Sequence, residues 1–330
     1  MTYNTKYHNE DISKSRFLIT GGAGFIGSNL VQYLLDFNAG HVRVIDDLSN
    51  GYYDNIKHFE KYSNFEFIKG DIRDLEVCNK AVENIDYISH QAALGSVPRS
   101  IKDPVLTNQV NVDGFLNILL AAKNSNRVKG FVYASSSSVY GNSIKLPKVE
   151  GEEGEVLSPY ALTKSINDSY ASVFSKVYNF SSIGLRYFNV FGPNQNPLNP
   201  YAAVIPIFCK NFLDNEPCNI FGDGLTSRDF TYIENVIQAN IKGMLFKNLN
   251  NHEVINIACG DQINLKDLVD TLNSISNKNI KPKFLPEREG DVKHSNANIE
   301  KAKNLIYYSP KINFNQGISL TYKYYEKTYN

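Results

Sequence analysis

Residues 16–27 read Arg16-Phe17-Leu18-Ile19-Thr20-Gly21-Gly22-Ala23-Gly24-Phe25-Ile26-Gly27. A short apolar run breaks into glycines, and a helical pattern follows with an apolar face at Ile26, Leu30, Leu34 and Phe37. The first five residues predict a strand and residues 25–37 a helix. Gly21, Gly24 and Gly27 form G-x-x-G-x-x-G between them. One glycine permits a tight turn, one lets a pyrophosphate approach the backbone, and one allows the helix to pack closely on the strand. The free N–H groups at the helix start, Phe25 and Ile26 among them, then face an anion. Glycines alone are weak evidence; a strand before them and a helix after them is the context that gives them meaning.

Outward from this unit the pattern repeats. Val42–Ile45, Phe65–Ile68, Ile85–Ser89 and Gly130–Ala134 read as further strands, with helical segments between them, notably Val105–Lys123. Strands alternating with helices imply βαβ units and a parallel sheet covered on both faces. The expected fold is α/β, a doubly wound parallel sheet of Rossmann type. After residue 190 the order loosens. Pro and Asn cluster at 193–200, and Ile220, Val236–Phe246, Val254–Ile257 and Leu265–Ile275 form shorter, less regular elements. Residues 1–190 are therefore assigned to a nucleotide-binding domain with a polar arm at 1–14. Residues 191–330 are assigned mainly to a smaller C-terminal α/β substrate lobe, with some chain crossing between the two. The acidic stretch 145–157 reads as an exposed loop.

At 330 residues and 42% hydrophobic the chain can bury a substantial core. Zero net charge gives no basic field for nucleic acid or an anionic membrane. No apolar run approaches the roughly 20 residues that span a bilayer, and the first residues lack the apolar core of a secretory signal. Cys78, Cys209, Cys218 and Cys259 are scattered, with no metal or redox spacing. The expectation is a cytoplasmic protein with reduced thiols and no bound metal.

Asp46 and Asp47 end the second strand, about 20 residues after the glycines, where an acid hydrogen-bonds a ribose and repels a 2′-phosphate. NAD is thus favoured over NADP, with Asp46 the stronger candidate. Asp71 and Ile72 follow the third strand, where a loop reaches the adenine. Ser135–Ser138 lie just past the fifth strand, at the carboxyl edge where such sheets bind ligands. Tyr160 and Lys164 sit at i and i+4 of a helix opened by Ser158-Pro159 and share one face. A lysine beside a tyrosine stabilises the phenolate, which makes Tyr160 a candidate general base. Y-x-x-x-K is common by chance; the glycines, the acid, the serine, the tyrosine and the lysine in that order are not.

With these motifs the chain resembles an extended short-chain dehydrogenase/reductase, and within that group the UDP-sugar 4-epimerases, over residues 15 to about 325. His90-Gln91-Ala92-Ala93, Asn111, Leu185–Gly192 (with Tyr187 and Asn189), Gly222-Asp223-Gly224, Ser227–Phe230 and Arg288-Glu289-Gly290-Asp291 complete the match. The resemblance implies that Ser136, five residues before Gly141, is the catalytic serine alongside Tyr160 and Lys164. It implies NAD contacts from Gly21, Gly24, Phe25, Ile26, Gly27, Asp46, Asp71, Ile72, Gln91, Ala92, Ala93, Asn111, Tyr160, Lys164 and Tyr187. The implied reaction is reversible inversion at C4 of a UDP-hexose. Tyr160 takes the 4-hydroxyl proton, a 4-keto sugar forms, the sugar turns over, and the other face is reduced with the same tightly held NAD. The UDP is gripped and the sugar held loosely. Asn189, Arg228 and Arg288 are expected on the diphosphate side, and Asp291 at the nucleoside ribose.

The likeness also bears on the sugar. A small residue at Ser295 leaves space for a 2-acetamido group, and Ala93–Ser100, with Gly95 and Ser96, resembles the subgroup that prefers acetylated sugars. Ser137 is placed to hydrogen-bond the acetamido or a hydroxyl. UDP-N-acetylglucosamine is therefore the expected substrate, with UDP-glucose as a further one. Related dehydratases and decarboxylases carry an acid after the fifth strand, whereas Ser136-Ser137-Ser138 has none. A UDP-glucuronate 4-epimerase is the nearest enzyme alternative; a non-catalytic NAD-sensing protein is the alternative from another class. The resemblance further implies a homodimer through a four-helix bundle built from Val105–Lys123 and Pro159–Val177.

Overall fold

The computed structural model describes residues 2–287 and 293–329. The expected strands form: β1 (Arg16–Thr20), β2 (His41–Asp46), β3 (Phe65–Lys69), β4 (Tyr87–His90) and β5 (Gly130–Ser136). With β6 (Ser182–Tyr187) and a seventh strand, His252–Ile257, they make one sheet. Its spatial order is β3-β2-β1-β4-β5-β6 and then the seventh strand, and each neighbouring pair is parallel. The order reverses between β1 and β4, and such a switch point opens a crevice at the carboxyl ends of the strands.

β1 shows how the layers arise. Phe17 and Ile19 join the buried cluster that holds Leu30 and Leu34 of the first helix, Phe25–Asp36. Leu18 points the other way, into a cluster with Ile45, Ile88 and Phe131. A strand buried on both faces has no polar side, hence its unbroken apolar run. The first helix and the helix Ile233–Met244 pack together on one face. Helices Leu75–Val82, Gly114–Asn124 and Pro159–Tyr178 cover the other. The segment expected as one helix over 105–123 is helical throughout but contains a π turn at Gln109–Asp113.

Beyond residue 190 the chain builds a smaller group of elements and also returns to the sheet. Helices Val204–Asp214, Leu265–Ser276 and Phe314–Tyr329 pack on one another. Short strand pairs join Asn219–Phe221 to Lys283–Leu285 and Ser227–Arg228 to Ile263–Asn264. The seventh strand, by contrast, pairs with β6 from Ser182↔His252 to Tyr187↔Ile257.

The N-terminal arm differs from the sequence reading, while the acidic stretch is the mostly exposed loop expected but is anchored at two points. The polar arm buries Tyr3, Tyr7, His8 and Ile12. The Tyr7 ring stacks on Tyr33 of the first helix at 5.9 Å, while the Tyr3 hydroxyl donates to Asn29 Oδ1 at 2.7 Å and that of Tyr7 to Glu234 Oε1 at 2.6 Å. Tyrosine carries a large apolar body with a polar tip, so a sequence that scores as polar still packs. In the acidic loop, Glu153 pairs with Arg186 of β6, and Glu150 Oε1 accepts from the Asn256 N–H at 2.7 Å. The loop is therefore tied to the sheet, since a buried arginine requires a counter-charge.

Candidate active site

The glycine turn is built as its spacing demands. Gly21 has φ +66°, and a Cβ there would lie 2.7 Å from the Ala92 backbone. A Cβ on Gly27 would lie 2.2 Å from the Gly21 carbonyl oxygen, so helix and turn touch backbone to backbone. Gly24 caps the first helix with no side-chain acceptor. Its first-turn residues, Phe25, Ile26 and Gly27, line a cavity of about 480 Å³ at the carboxyl edge of the sheet. Thr20, the last residue of β1, steadies the facing loop. Its hydroxyl contacts His90 Nδ1 at 2.8 Å and accepts from the N–H groups of Gln91 and Ala92, each at 3.2 Å.

The cavity gathers most of the residues picked from the sequence. Gly21, Gly24, Phe25, Ile26, Gly27, Asp46, Asp71, Ile72, Gln91, Ala92 and Ala93 line one part of it. Gly95, Ser136, Ser137, Tyr160, Lys164, Tyr187 and Asn189 also line it. The Asp46 carboxylate accepts from Ala23 N–H at 3.0 Å and Leu48 N–H at 2.8 Å. Burial raises its pKa against those two donors, and the remaining lone pairs can take ribose hydroxyls. Asp71 accepts from Arg73, which holds its carboxyl below the usual range.

At the other end the Ser158 hydroxyl caps the helix Pro159–Tyr178 by accepting from Ala161 N–H at 3.1 Å. Tyr160 and Lys164 thereby share the cavity wall. Ser136 hydrogen-bonds Tyr160, which lowers that phenol's pKa, but burial is the larger influence and leaves it raised. This differs from the expected lysine-driven depression. The physical reason is where Lys164 points: its ammonium is buried and donates to the Ala134 carbonyl at 2.7 Å. Burial lowers Lys164 to about 8, with the Asp168 carboxylate opposing.

Other expected residues stand outside the lining. Asn111 is buried in the π turn, where its Oδ1 accepts from Leu94 N–H at 2.8 Å and its Nδ2 donates to Thr163 at 3.1 Å. It braces the loop before Gly95 against the Tyr160 helix. Ser96 accepts from Arg99 N–H at 3.2 Å and caps the helix Val97–Lys102. Arg228 and Ser295 come together in the smaller lobe. Ser295 N–H donates to the Ser227 carbonyl at 3.1 Å, and Arg228 Nη1 to the same oxygen at 2.9 Å. Arg288 and Asp291 lie outside the described residues.

Sequence reasoning passed over Gln195 of the Pro/Asn-rich loop, Ala203 at the start of the helix Val204–Asp214, and Ser49–Gly51 after β2, all of which line the cavity. The available signal was position: Ser49–Gly51 follow the carboxyl end of β2, and Ala203 stands at a helix start. Ser135, named in the sequence only as part of the serine run and given no role, is a lining residue whose buried hydroxyl has no partner among the described residues. A glycine cradle, an uncapped helix start and an orphaned hydroxyl fit a dinucleotide in this cavity.

The model of the NAD dependent epimerase/dehydratase family matches residues 17–258. A putative UDP-glucose 4-epimerase of Methanocaldococcus jannaschii is 34% identical over 91% of this chain and 95% of its own. The structure of a UDP-N-acetylglucosamine 4-epimerase from Methanobrevibacter ruminantium, in complex with UDP-N-acetylmuramic acid, is 37% identical. It superposes with a TM-score of 0.89 over 95% of this chain and 99% of its own. A UDP-glucuronic acid 4-epimerase from Bacillus cereus, with UDP-glucuronic acid and NAD, is 34% identical, with a TM-score of 0.87 over 95% of this chain and 100% of its own. The glycine turn, Asp46, Tyr160 and Lys164 are thus found in one cavity of a chain that belongs to the NAD dependent epimerase/dehydratase family and uses NAD as its cofactor.

Proposed function

We propose that the protein interconverts UDP-N-acetylglucosamine and UDP-N-acetylgalactosamine by inversion at C4, and that it also accepts UDP-glucose. The observation that carries the reaction class is Tyr160 beside Ser136 and Lys164 in the cavity that holds the glycine turn. NAD, when bound, supplies the acceptor and donor of hydride at the sugar carbon. Tyr160 takes the 4-hydroxyl proton and later returns it. Ser136 hydrogen-bonds the same oxygen, and the Lys164 charge favours the phenolate. The stretch Ser136-Ser137-Ser138 offers no carboxylate for eliminating water.

Three features support an uncharged acetylated sugar. Gly95 is exposed, with no atom within 4 Å of a Cβ built on it. Ser137 and Gln195 bring hydroxyl and amide groups to the wall. Among the described lining residues the only cation is Lys164, which is committed to Ala134. A uronate carboxylate therefore meets no arginine there, which disfavours the glucuronate reading despite the Bacillus cereus likeness. Arg228 and Arg288 are assigned to the diphosphate and Asp291 to the nucleoside ribose.

Proton NMR of purified protein with UDP-N-acetylglucosamine, UDP-glucose or UDP-glucuronate, and no added cofactor, tests this reading. Rapid appearance of the UDP-N-acetylgalactosamine anomeric signal, with slower UDP-galactose, is the expected result. Product from UDP-glucuronate alone moves the assignment to the uronate; no product from any of the three, with NAD retained, favours the sensing role.

A further inference from the structure

Two residues of the cavity wall, Gln91 and Tyr187, have their polar ends turned away from it. Gln91 Nε2 lies within hydrogen-bond distance of three acceptors, Ser89 Oγ at 2.9 Å and Asn240 Oδ1 and the Tyr187 hydroxyl at 3.0 Å, which share its two hydrogens. The Tyr187 hydroxyl donates to Gln91 Oε1 at 3.2 Å and accepts from Asn240 Nδ2 at 2.9 Å. Ser89 donates to Asn240 Oδ1 at 2.9 Å, and Asn240 Nδ2 also donates to the Val236 carbonyl at 2.8 Å. Ser89 and Asn240 are fully buried. Asn240 belongs to the helix Ile233–Met244, which packs behind β4, β5 and β6 on the face opposite the Tyr160 helix.

We propose that Asn240 is a positioning residue for the cofactor: it locks Gln91 and Tyr187 in the cavity wall, so that retention of NAD depends on an amide on the far side of the sheet. The argument is one of saturation. Both polar atoms of Asn240 are engaged, and those of Gln91 and the Tyr187 hydroxyl are engaged with them. What these two residues offer the cavity is thus a fixed surface rather than free donors. In a closed network of this kind the members share their partners, so withdrawing one of them leaves buried polar groups short of a hydrogen bond. Removing Asn240 releases the Gln91 carboxamide and the Tyr187 ring together.

The same helix supplies an internal control. Asn235 is equally buried, but its Nδ2 donates to the Ile312 carbonyl at 2.8 Å and its Oδ1 accepts from Lys311 N–H at 2.8 Å, in a segment outside the cavity lining. Asn235→Leu and Asn240→Leu remove comparable buried amides, so a merely structural role lowers stability in both alike. The experiment measures exchange of bound NAD for labelled NAD in the purified protein, together with melting temperature. Asn240→Leu is expected to exchange NAD at least about ten times faster than wild type, while Asn235→Leu melts earlier but exchanges at the wild-type rate. Ser89→Ala, a smaller change in the same network, is expected to speed exchange by a few fold and serves if Asn240→Leu does not fold. Exchange in Asn240→Leu and Ser89→Ala that matches Asn235→Leu overturns the proposal. Because the readout is NAD and not sugar, an error in the substrate assignment leaves the result unaffected.

Discussion

Lys164 donates its ammonium to the carbonyl oxygen of Ala134, 2.7 Å away, and so pins the Tyr160 helix to the end of β5. The bond sets where the only cation among the described lining residues stands relative to Tyr160. It also removes that cation from water, which is why its pKa falls.

The first prediction concerns pH. Burial lowers Lys164 to about 8, so the ammonium is charged below that value and neutral above it. Burial raises Tyr160, which therefore depends on nearby positive charge to ionise. Burial, with the Lys164 charge adding to it, lowers His90 to about 3, so this imidazole stays neutral throughout. The expected profile of kcat/KM declines on the alkaline side as pH rises through about 8. In Lys164→Ala, kcat drops on the order of 10²-fold or more. A wild-type profile that is flat to pH 10 contradicts the assignment.

Gly27→Ala tests the glycine turn. The added methyl carbon would lie 2.2 Å from the Gly21 oxygen and 2.7 Å from Gly22 Cα, both backbone atoms that cannot swing aside. Overpacking of this kind costs about 1–3 kcal/mol. The variant is expected to melt earlier and to purify with less NAD than wild type, read by melting temperature and by NAD released on denaturation. Unchanged NAD content would show that the turn does not set the cofactor's approach.

Substrate size is probed at Ser295. A tyrosine there is expected to slow UDP-N-acetylglucosamine by roughly tenfold or more while changing UDP-glucose less, in line with about 1–3 kcal/mol of shape discrimination. Parallel NMR rates for the two sugars check this. Equal losses on both would mean that Ser295 acts through its backbone bond to Ser227 and the neighbouring Arg228, not through the acetamido space.

A homodimer is the proposed assembly. Leu162, Val173 and Val177 are 49%, 50% and 64% exposed along one face of the Tyr160 helix, and nearby Ile101 and Val105 are each 65% exposed. An apolar stripe of this kind on a polar surface marks a docking face. Sedimentation equilibrium is expected to give twice the chain mass, and Val173→Glu is expected to return it to one chain. A monomeric wild type would refute the assembly.

The sequence made the first half of the sheet readable because its signals are local. Arg16–Thr20 is an apolar run ended by glycines, and its neighbours follow the same grammar. Ser136, Tyr160 and Lys164 were found because one strand end and one helix turn carry them. What escaped depends on distance along the chain. His252–Ile257 looks like any short strand, and only its register with β6 makes it part of the sheet. Asn240 left a trace, a polar residue on a helix whose neighbours Ala239 and Ile241 are fully buried, but its side-chain partners Ser89, Gln91 and Tyr187 come from β4, the residue after it and β6. Tyr3 and Tyr7 were read as polar because their packing partner, Tyr33, is a tertiary neighbour.

That seventh strand also governs how the protein must be made. All six residues of β6 are buried in the finished sheet, yet its outer edge is covered only when residues 252–257 arrive. During synthesis residues 188–251 must emerge first, a delay of several seconds at about 5–20 residues per second. Through that interval the nascent chain presents an apolar open edge of the sort that pairs with other chains. Fragments that stop near residue 190 would keep that edge permanently, and their fate is aggregation rather than a small working domain.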